Sequence, residues 1–289
     1  MIWGILLILG CVPLFVVNSF CDKIASTKNG NRYNYFYNAL KFLICTICML
    51  PVLLLDDAPI CAWGCILCGV ICGIAYAINK TVILKGYQRT SVAFMTLCHA
   101  SGMILPCILG HFLWSERLGV VSLLGIAFVI LSIVLLKGGQ GESMKADDRG
   151  VFFGISIFLT SATVMITQKC MGIYFPEQSV GAYNLYSFIV PFCILGCLIK
   201  PVPAINDEKK AGKSLWIYAL GSGVSLSVIS FVMTSLSGSV PSVVLFPLFN
   251  GLGIILVCIG SAFAFQEKIT LKKGVGLAIG VLGLCFVNF

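Results

Sequence analysis

Apolar residues along this chain come in long unbroken blocks, and polar residues are confined to short breaks between them. Ten blocks have the roughly 20-residue length a membrane-spanning helix needs: 2–21, 33–55, 60–79, 90–114, 118–137, 150–171, 179–199, 215–237, 240–265 and 270–288. The breaks carry turn and charge chemistry, as in STKNGNR, DDAP, KGYQR, SERLG, GGQGESMKADDRG, PEQS, NDEKKAGKS, SGSVP and QEKIT. No ten-residue alternation of apolar and polar positions appears, which argues against a membrane β-barrel. The pattern predicts an all-α integral membrane protein with ten transmembrane helices.

The blocks repeat. Shifting the chain by 151 lays SVAFMTLCHASG (91–102) on SVVLFPLFNGLG (242–253) and brings residues 91–138 onto 242–289 without a gap. Gly102, Cys107, Glu116 and Gly125 then meet Gly253, Cys258, Glu267 and Gly276. A shift of 150 pairs Tyr33-Asn34 with Tyr183-Asn184 and Gly4 with Gly154. The chain thus reads as a first five-helix repeat over 1–138, a linker over 139–149 and a second repeat over 150–289, in one membrane domain. Five is odd, so consecutive repeats cross the membrane in opposite senses. Inverted repeats of this kind place substrate near the midplane between the halves. A substrate is not two-fold symmetric, which is the reading given to His99 standing where its counterpart is Asn250.

Composition agrees with lipid as the solvent. Of 289 residues 59% are hydrophobic and 10% charged, against about 25% charged in an ordinary soluble domain. The fifteen cysteines lie mostly inside apolar blocks. Cys61, Cys65, Cys68 and Cys72 share one helix face, where four ligands strung along about 16 Å cannot close on one ion; they are read as a packing stripe of small residues. The first block lacks a basic n-region and a cleavage pattern, and is read as a permanent span.

Charge sets the expected orientation. Of nineteen Lys and Arg, sixteen fall in odd-numbered breaks, Arg117 and Lys169 fall in even ones, and Lys41 lies inside a span. The positive-inside rule puts odd loops in the cytoplasm, here at a plasma (inner) membrane, and both termini outside. The net charge of +8 therefore calls for no nucleic-acid partner. The expected partners are a small-molecule substrate and the bilayer, with a homodimer left open.

Ten spans in two repeats, each fourth span running into a turn with Glu and a basic residue (SERLG, QEKIT) and then a Gly-containing fifth span, resemble the drug/metabolite transporter superfamily of the EamA type. The resemblance covers nearly the whole chain. It implies an alternating-access carrier of small organic molecules that needs no nucleotide hydrolysis. Two departures stand out: many ten-helix members are described with cytosolic termini, and the small proton-coupled exporters rely on a carboxylate within the first span, whereas the first acid here is Asp22, at that span's expected end.

All eleven acids fall in breaks or at span ends on this reading, so no carboxylate is expected deep in the membrane. Glu116 and Glu267 are expected to favour the N-terminus of the following helix. Lys41, eight residues into span 2, is a functional candidate because charge at that depth is costly; Asn34, Tyr37 and Lys41 form one polar stripe, and Tyr183 and Asn184 repeat its start. The candidate substrate-binding set is Asn34, Tyr37, Lys41, Tyr76, His99, Tyr183, Asn184 and Asn250. Asn79 is placed near the same cavity, Lys80 at the interface, Gln168 and Lys169 at a candidate gate, and His111 in a structural role.

No H-E-x-x-H occurs, and AGKS at 211–214 lacks the earlier glycine of a phosphate loop. No catalytic residues, metal or cofactor are expected. The function expected is secondary transport of a small polar metabolite, anionic or zwitterionic, by alternating access. The alternatives are a broad-specificity drug exporter and, from another class, a polytopic membrane enzyme acting on a lipid-linked substrate.

Overall fold

The computed structural model describes residues 2–29, 33–56, 58–88, 92–116, 148–199, 208–265 and 271–287, with scattered helical positions between 119 and 135. The linker at 139–147, the turn carrying Glu267 and most of the expected fifth span lie outside the described residues. The helices are α1 (Ile2–Asn29), α2 (Asn34–Leu54), α3 (Trp63–Tyr87), α4 (Val92–Ser101), α5 (Ile104–Trp114), α6 (Asp148–Tyr174), α7 (Val180–Cys197), α8 (Glu208–Ser237), α9 (Ser242–Ala264) and α10 (Leu271–Val287). Among the described residues there is no strand, and eight helices are long and apolar enough to span a bilayer, α4 and α5 counting as one over Phe94–Trp114.

The polarity is inside out. Leu6, Leu7, Ile47, Leu50, Trp63, Phe152, Ile217 and Phe263 are exposed, while Asn18, Asp22, Lys41, Asn79, Lys80, Asn184 and Asn250 are buried. In water that surface would be an aggregation site; in lipid it is the solvent-matched face. The chain is a multi-pass integral membrane protein.

The two halves of the chain interleave. The first helix, α1, packs along α8, and its counterpart in the second half, α6, packs along α3. Likewise α1 lies on α9, and α6 lies on α4 and α5. At the centre α2 packs on α7. Between α3 and α7 the approach is close: a Cβ on Gly69 would lie 2.6 Å from Tyr186 Cβ, and one on Gly73 2.7 Å from Val190 Cβ. Cys65, Cys68 and Cys72 are buried in the same cluster as Tyr183 and Phe188, so these thiols act as small packing groups.

The span over 94–114 is broken at Gly102-Met103, where the amides of Gly102 and Met103 turn back to His99 O (3.2 Å) and Ala100 O (3.1 Å). A Cβ on Gly102 would stand 2.7 Å from Ser161 Cβ and 3.0 Å from Phe158 O. Only glycine lets α6 come this near. The break leaves His99 in the last turn of α4, beside the interior.

Candidate functional site

The sequence places Asp22 at a span end, and the structure corrects this. α1 continues to Asn29, so Asp22 lies inside the helix, seven residues or roughly 10 Å from its end. The segment DKIAS, which runs into the break STKNGNR, lies past the expected end of the span, but its polar groups and those just before it face protein. Asn18 Nδ2 donates to Ser222 O (3.0 Å), and Ser26 Oγ donates to Leu84 O (2.8 Å).

Asp22 is the hub of a buried cluster. Lys41 Nζ donates to both carboxylate oxygens at 2.9 Å, and Oδ1 also accepts from Tyr37 Oη (2.9 Å) and Ser222 Oγ (2.7 Å). Lys80 Nζ stands 4.0 Å from Oδ2. Lys41 is fully buried and Asp22 is 2% exposed. Two charges out of water persist when hydrogen bonds satisfy the remaining lone pairs, and here four hydrogen bonds from three donor groups do so. Lys41 is therefore neither free for a substrate nor snorkelling to the interface. Asp22, Lys41 and Lys80 each sit seven residues inside a helix end, the C-terminal end of α1, the N-terminal end of α2 and the C-terminal end of α3. Those ends share one side of the bundle. There Lys23 Nζ donates to Tyr87 O (2.7 Å) and Gln88 Nε2 to Ser26 O (3.1 Å), tying α1 to α3.

A second ionic cluster lies where α5, α6 and α9 meet. Ser115, at φ 53°, ends α5 in the left-handed conformation and turns Glu116 back over the helix. Both carboxylate oxygens of Glu116 accept the backbone N–H of Ser242 (3.1 and 3.0 Å), and Lys169 Nζ lies 2.8 Å from Oε1. Lys169 also donates to Val240 O (2.9 Å) and stands 6.0 Å from the centre of the Trp114 ring. The acid favours a helix N-terminus, that of α9 in the other half; the start of the helix expected to follow Glu116 falls largely outside the described residues.

Between the clusters lies a cavity of about 60 Å³. Its polar lining is Asn18, Tyr76, Lys80, His99, Ser161, Gln168, Ser230 and Asn250; its apolar lining includes Phe15, Met165, Met233, Phe246 and Phe249. A recess of about 10 Å³, which shares Phe15, Asn18, Lys80 and His99 with it, reaches Asp22. Asn250 Nδ2 donates within its own helix to Phe246 O (2.8 Å), while its buried Oδ1 and the Nδ1 of His99 have no partner among the described residues. Buried polar atoms are nearly always paired, so these two are poised for a ligand or water.

Of the candidates, Tyr76, His99 and Asn250 line the cavity. Asn184 reaches it through Ser230, whose Oγ donates to Asn184 Oδ1 (2.6 Å) and also meets Tyr76 Oη and Gln168 Nε2 (each 3.4 Å). Tyr37 and Lys41 belong to the Asp22 cluster. Asn34 is buried off the cavity lining, and Tyr183 pairs with Thr167 Oγ1 (3.1 Å) away from it. Sequence reasoning missed Asp22, Asn18, Ser222 and Ser230, and put Lys80 at the interface. The signal available was the i, i+4, i+8 row Asn18, Asp22, Ser26, which is helical spacing beyond the apparent end of the span.

Fold and cavity together define a multi-pass membrane protein with a polar-lined chamber between its halves. Residues 2–137 match the model of the EamA-like transporter family. The chain is also similar to the uncharacterized transporter YxxF of Bacillus subtilis strain 168, at 23% identity over 167 residues. That match takes in 56% of this chain and spans half the length of the relative. A solved crystal structure shares the fold, with a TM-score of 0.68 over 98% of this chain and 95% of its own at 14% identity.

Proposed function

We propose that this protein is a secondary transporter that holds a small polar metabolite, anionic or zwitterionic, in the central cavity and releases it by alternating access. The observation that carries this reading is the placing of the cavity between two ionic clusters, Asp22–Lys41 and Glu116–Lys169, with lining residues from both halves of the chain. In the same reading the chain has ten spans in two inverted repeats. The packing of α1 on α8 and of α6 on α3 supports this, because it is the exchange a two-fold axis in the membrane plane produces. Each cluster is then a gate on one side, and the two gates open alternately.

A cavity whose lining carries lysine and histidine but no carboxylate favours anions over cations. A cation 4 Å from a lysine is repelled by about 4 kcal/mol at an effective dielectric of 20, while a carboxylate gains a charge-assisted hydrogen bond. The apolar lining supports a second reading, a broad-specificity drug exporter.

The test is a thermal-shift screen of purified protein against a metabolite library, followed by counterflow of each hit in proteoliposomes containing this chain alone. Saturable exchange of a stabilising metabolite is expected. Stabilising metabolites that never exchange across the liposome membrane would exclude transport, and preferential flux of hydrophobic cations would put the exporter reading first.

A further inference from the structure

We propose that Lys80 is the anion-recognising group of the cavity, and that its ligand is an amphipathic organic monoanion, charged at one end and apolar along its body. The proposal rests on the reading of the cavity as the substrate site, and it moves the recognising cation from Lys41 to Lys80.

The buried cluster does not neutralise itself. Asp22 supplies one negative charge, Lys41 and Lys80 two positive ones. Lys41 occupies both carboxylate oxygens, and Tyr37 and Ser222 complete their hydrogen bonding. Lys80 is left at 4.0 Å from Oδ2, beyond hydrogen-bond reach, with its side chain 8% exposed. Among the described residues its ammonium has no other charged or hydrogen-bonding partner. An ammonium held this way in a lipid-embedded bundle is costly unless an anion or water meets it.

Lys80 also stands where an anion can arrive. It lines both the main cavity and the recess that runs to Asp22, together with His99 and Asn18. Asn18 Nδ2 spends one of its two N–H donors on Ser222 O, and Lys80 is the charged donor at this end. Beyond this end the wall is mostly Met165, Ile229, Met233, Phe246 and Phe249, interrupted by the uncharged polar groups of Tyr76, Ser161, Gln168, Ser230 and Asn250. A single uncompensated positive charge matches a single negative one. A second anionic group on the ligand would find no second lysine or arginine in the lining. The free Oδ1 of Asn250 is an acceptor for a hydroxyl or amino group on the ligand body, so amphipathic zwitterions with the carboxylate at the Lys80 end belong to the same class.

The test uses purified full-length protein in detergent and thermal shift at constant ionic strength. The probes are butanoate and hexanoate, their amides, butylammonium and chloride. The carboxylates are expected to raise Tm with half-saturation at least tenfold below that of the matched amides, and butylammonium to have no effect. Lys80→Met should abolish the carboxylate preference without lowering the unliganded Tm, and Lys80→Arg should retain it. Equal responses to carboxylate and amide in the unmodified protein, no carboxylate response at millimolar concentration, or a preference that survives Lys80→Met would each overturn the assignment. Chloride acting as well as hexanoate would overturn the amphipathic part. Ile229→Trp, which fills the cavity, separates the two levels. Shifts lost in Ile229→Trp but unchanged in Lys80→Met leave the cavity as the site and remove Lys80. Shifts that persist in Ile229→Trp remove the cavity itself.

Discussion

Lys41 on α2 clasps both oxygens of Asp22 on α1 at 2.9 Å, a pair in which the lysine is fully buried and the acid 2% exposed. Breaking such a pair from one side strands a charge, at a cost of roughly 3–5 kcal/mol. Asp22→Asn strands two lysines and is expected to lower the melting temperature sharply. Asp22→Asn combined with Lys41→Met should recover much of the loss, because one stranded cation is gone. A double-mutant cycle on thermal stability in detergent checks this; strict additivity of the two losses would rule out the coupling.

At the other cluster, Glu116 holds the first turn of α9 through the Ser242 amide and anchors Lys169. Glu116→Gln weakens the charge-assisted bonds and leaves Lys169 without its counter-charge, an expected cost of about 1–3 kcal/mol. The consequence should be local. Cys107 is fully buried behind this contact, with Sγ 3.7 Å from Ser242 O. Its alkylation by a small thiol reagent, mapped by mass spectrometry, is expected to rise several-fold in Glu116→Gln, while alkylation of the exposed Cys61 stays the same. Unchanged protection of Cys107 would argue against a gate at Glu116.

Hydropathy located the spans because a lipid-facing helix must be apolar over most of its length, and the helices α2, α7 and α9 fall within a few residues of the expected blocks. It failed at the C-terminal ends of α1 and α3. There the polar residues Asp22, Lys23, Ser26 and Lys80 turn inward or bond to neighbouring backbone, and a one-dimensional reading takes them for loop. The same error hid the Asp22–Lys41 pair: with Asp22 placed at the end of the span, Lys41 looked unpartnered. His99, Asn250 and Tyr76 were legible because each is polar in the middle or interior end of an apolar run. Ser230 and Asn18 were not, since serine and asparagine near a helix end carry no signal until the partner helix is known.

Orientation follows from loop charge and is open to direct test. Cys61 is exposed in the break after α2, and Thr27 is exposed near the end of α1. With odd loops cytoplasmic, a membrane-impermeant thiol reagent added to intact cells should label Cys61 and spare a cysteine placed by Thr27→Cys until the cells are lysed. The reverse pattern would invert the topology and exchange the sides assigned to the two gates, leaving the cavity chemistry as it stands.

Asn250 separates function from stability. Its Oδ1 is buried without a partner among the described residues, and its Nδ2 repeats a bond to Phe246 O, a carbonyl that the helix already uses. An unpaired buried acceptor costs about 1–3 kcal/mol, and leucine has nearly the same volume with no polar atom to satisfy. Asn250→Leu is therefore expected to hold or raise the melting temperature of the unliganded protein. If Oδ1 accepts a hydrogen bond from the substrate, the same change should weaken the stabilisation produced by that substrate at least tenfold, since the lost bond has no replacement in an apolar wall. A structural role for Asn250 gives the opposite pair of results: a lower melting temperature, with ligand-induced stabilisation intact. Measuring both quantities on one preparation decides between them. His99→Phe provides the parallel case for Nδ1, because the ring already packs near Phe15 at 6.0 Å between centroids and the exchange keeps that contact while removing the unpaired nitrogen.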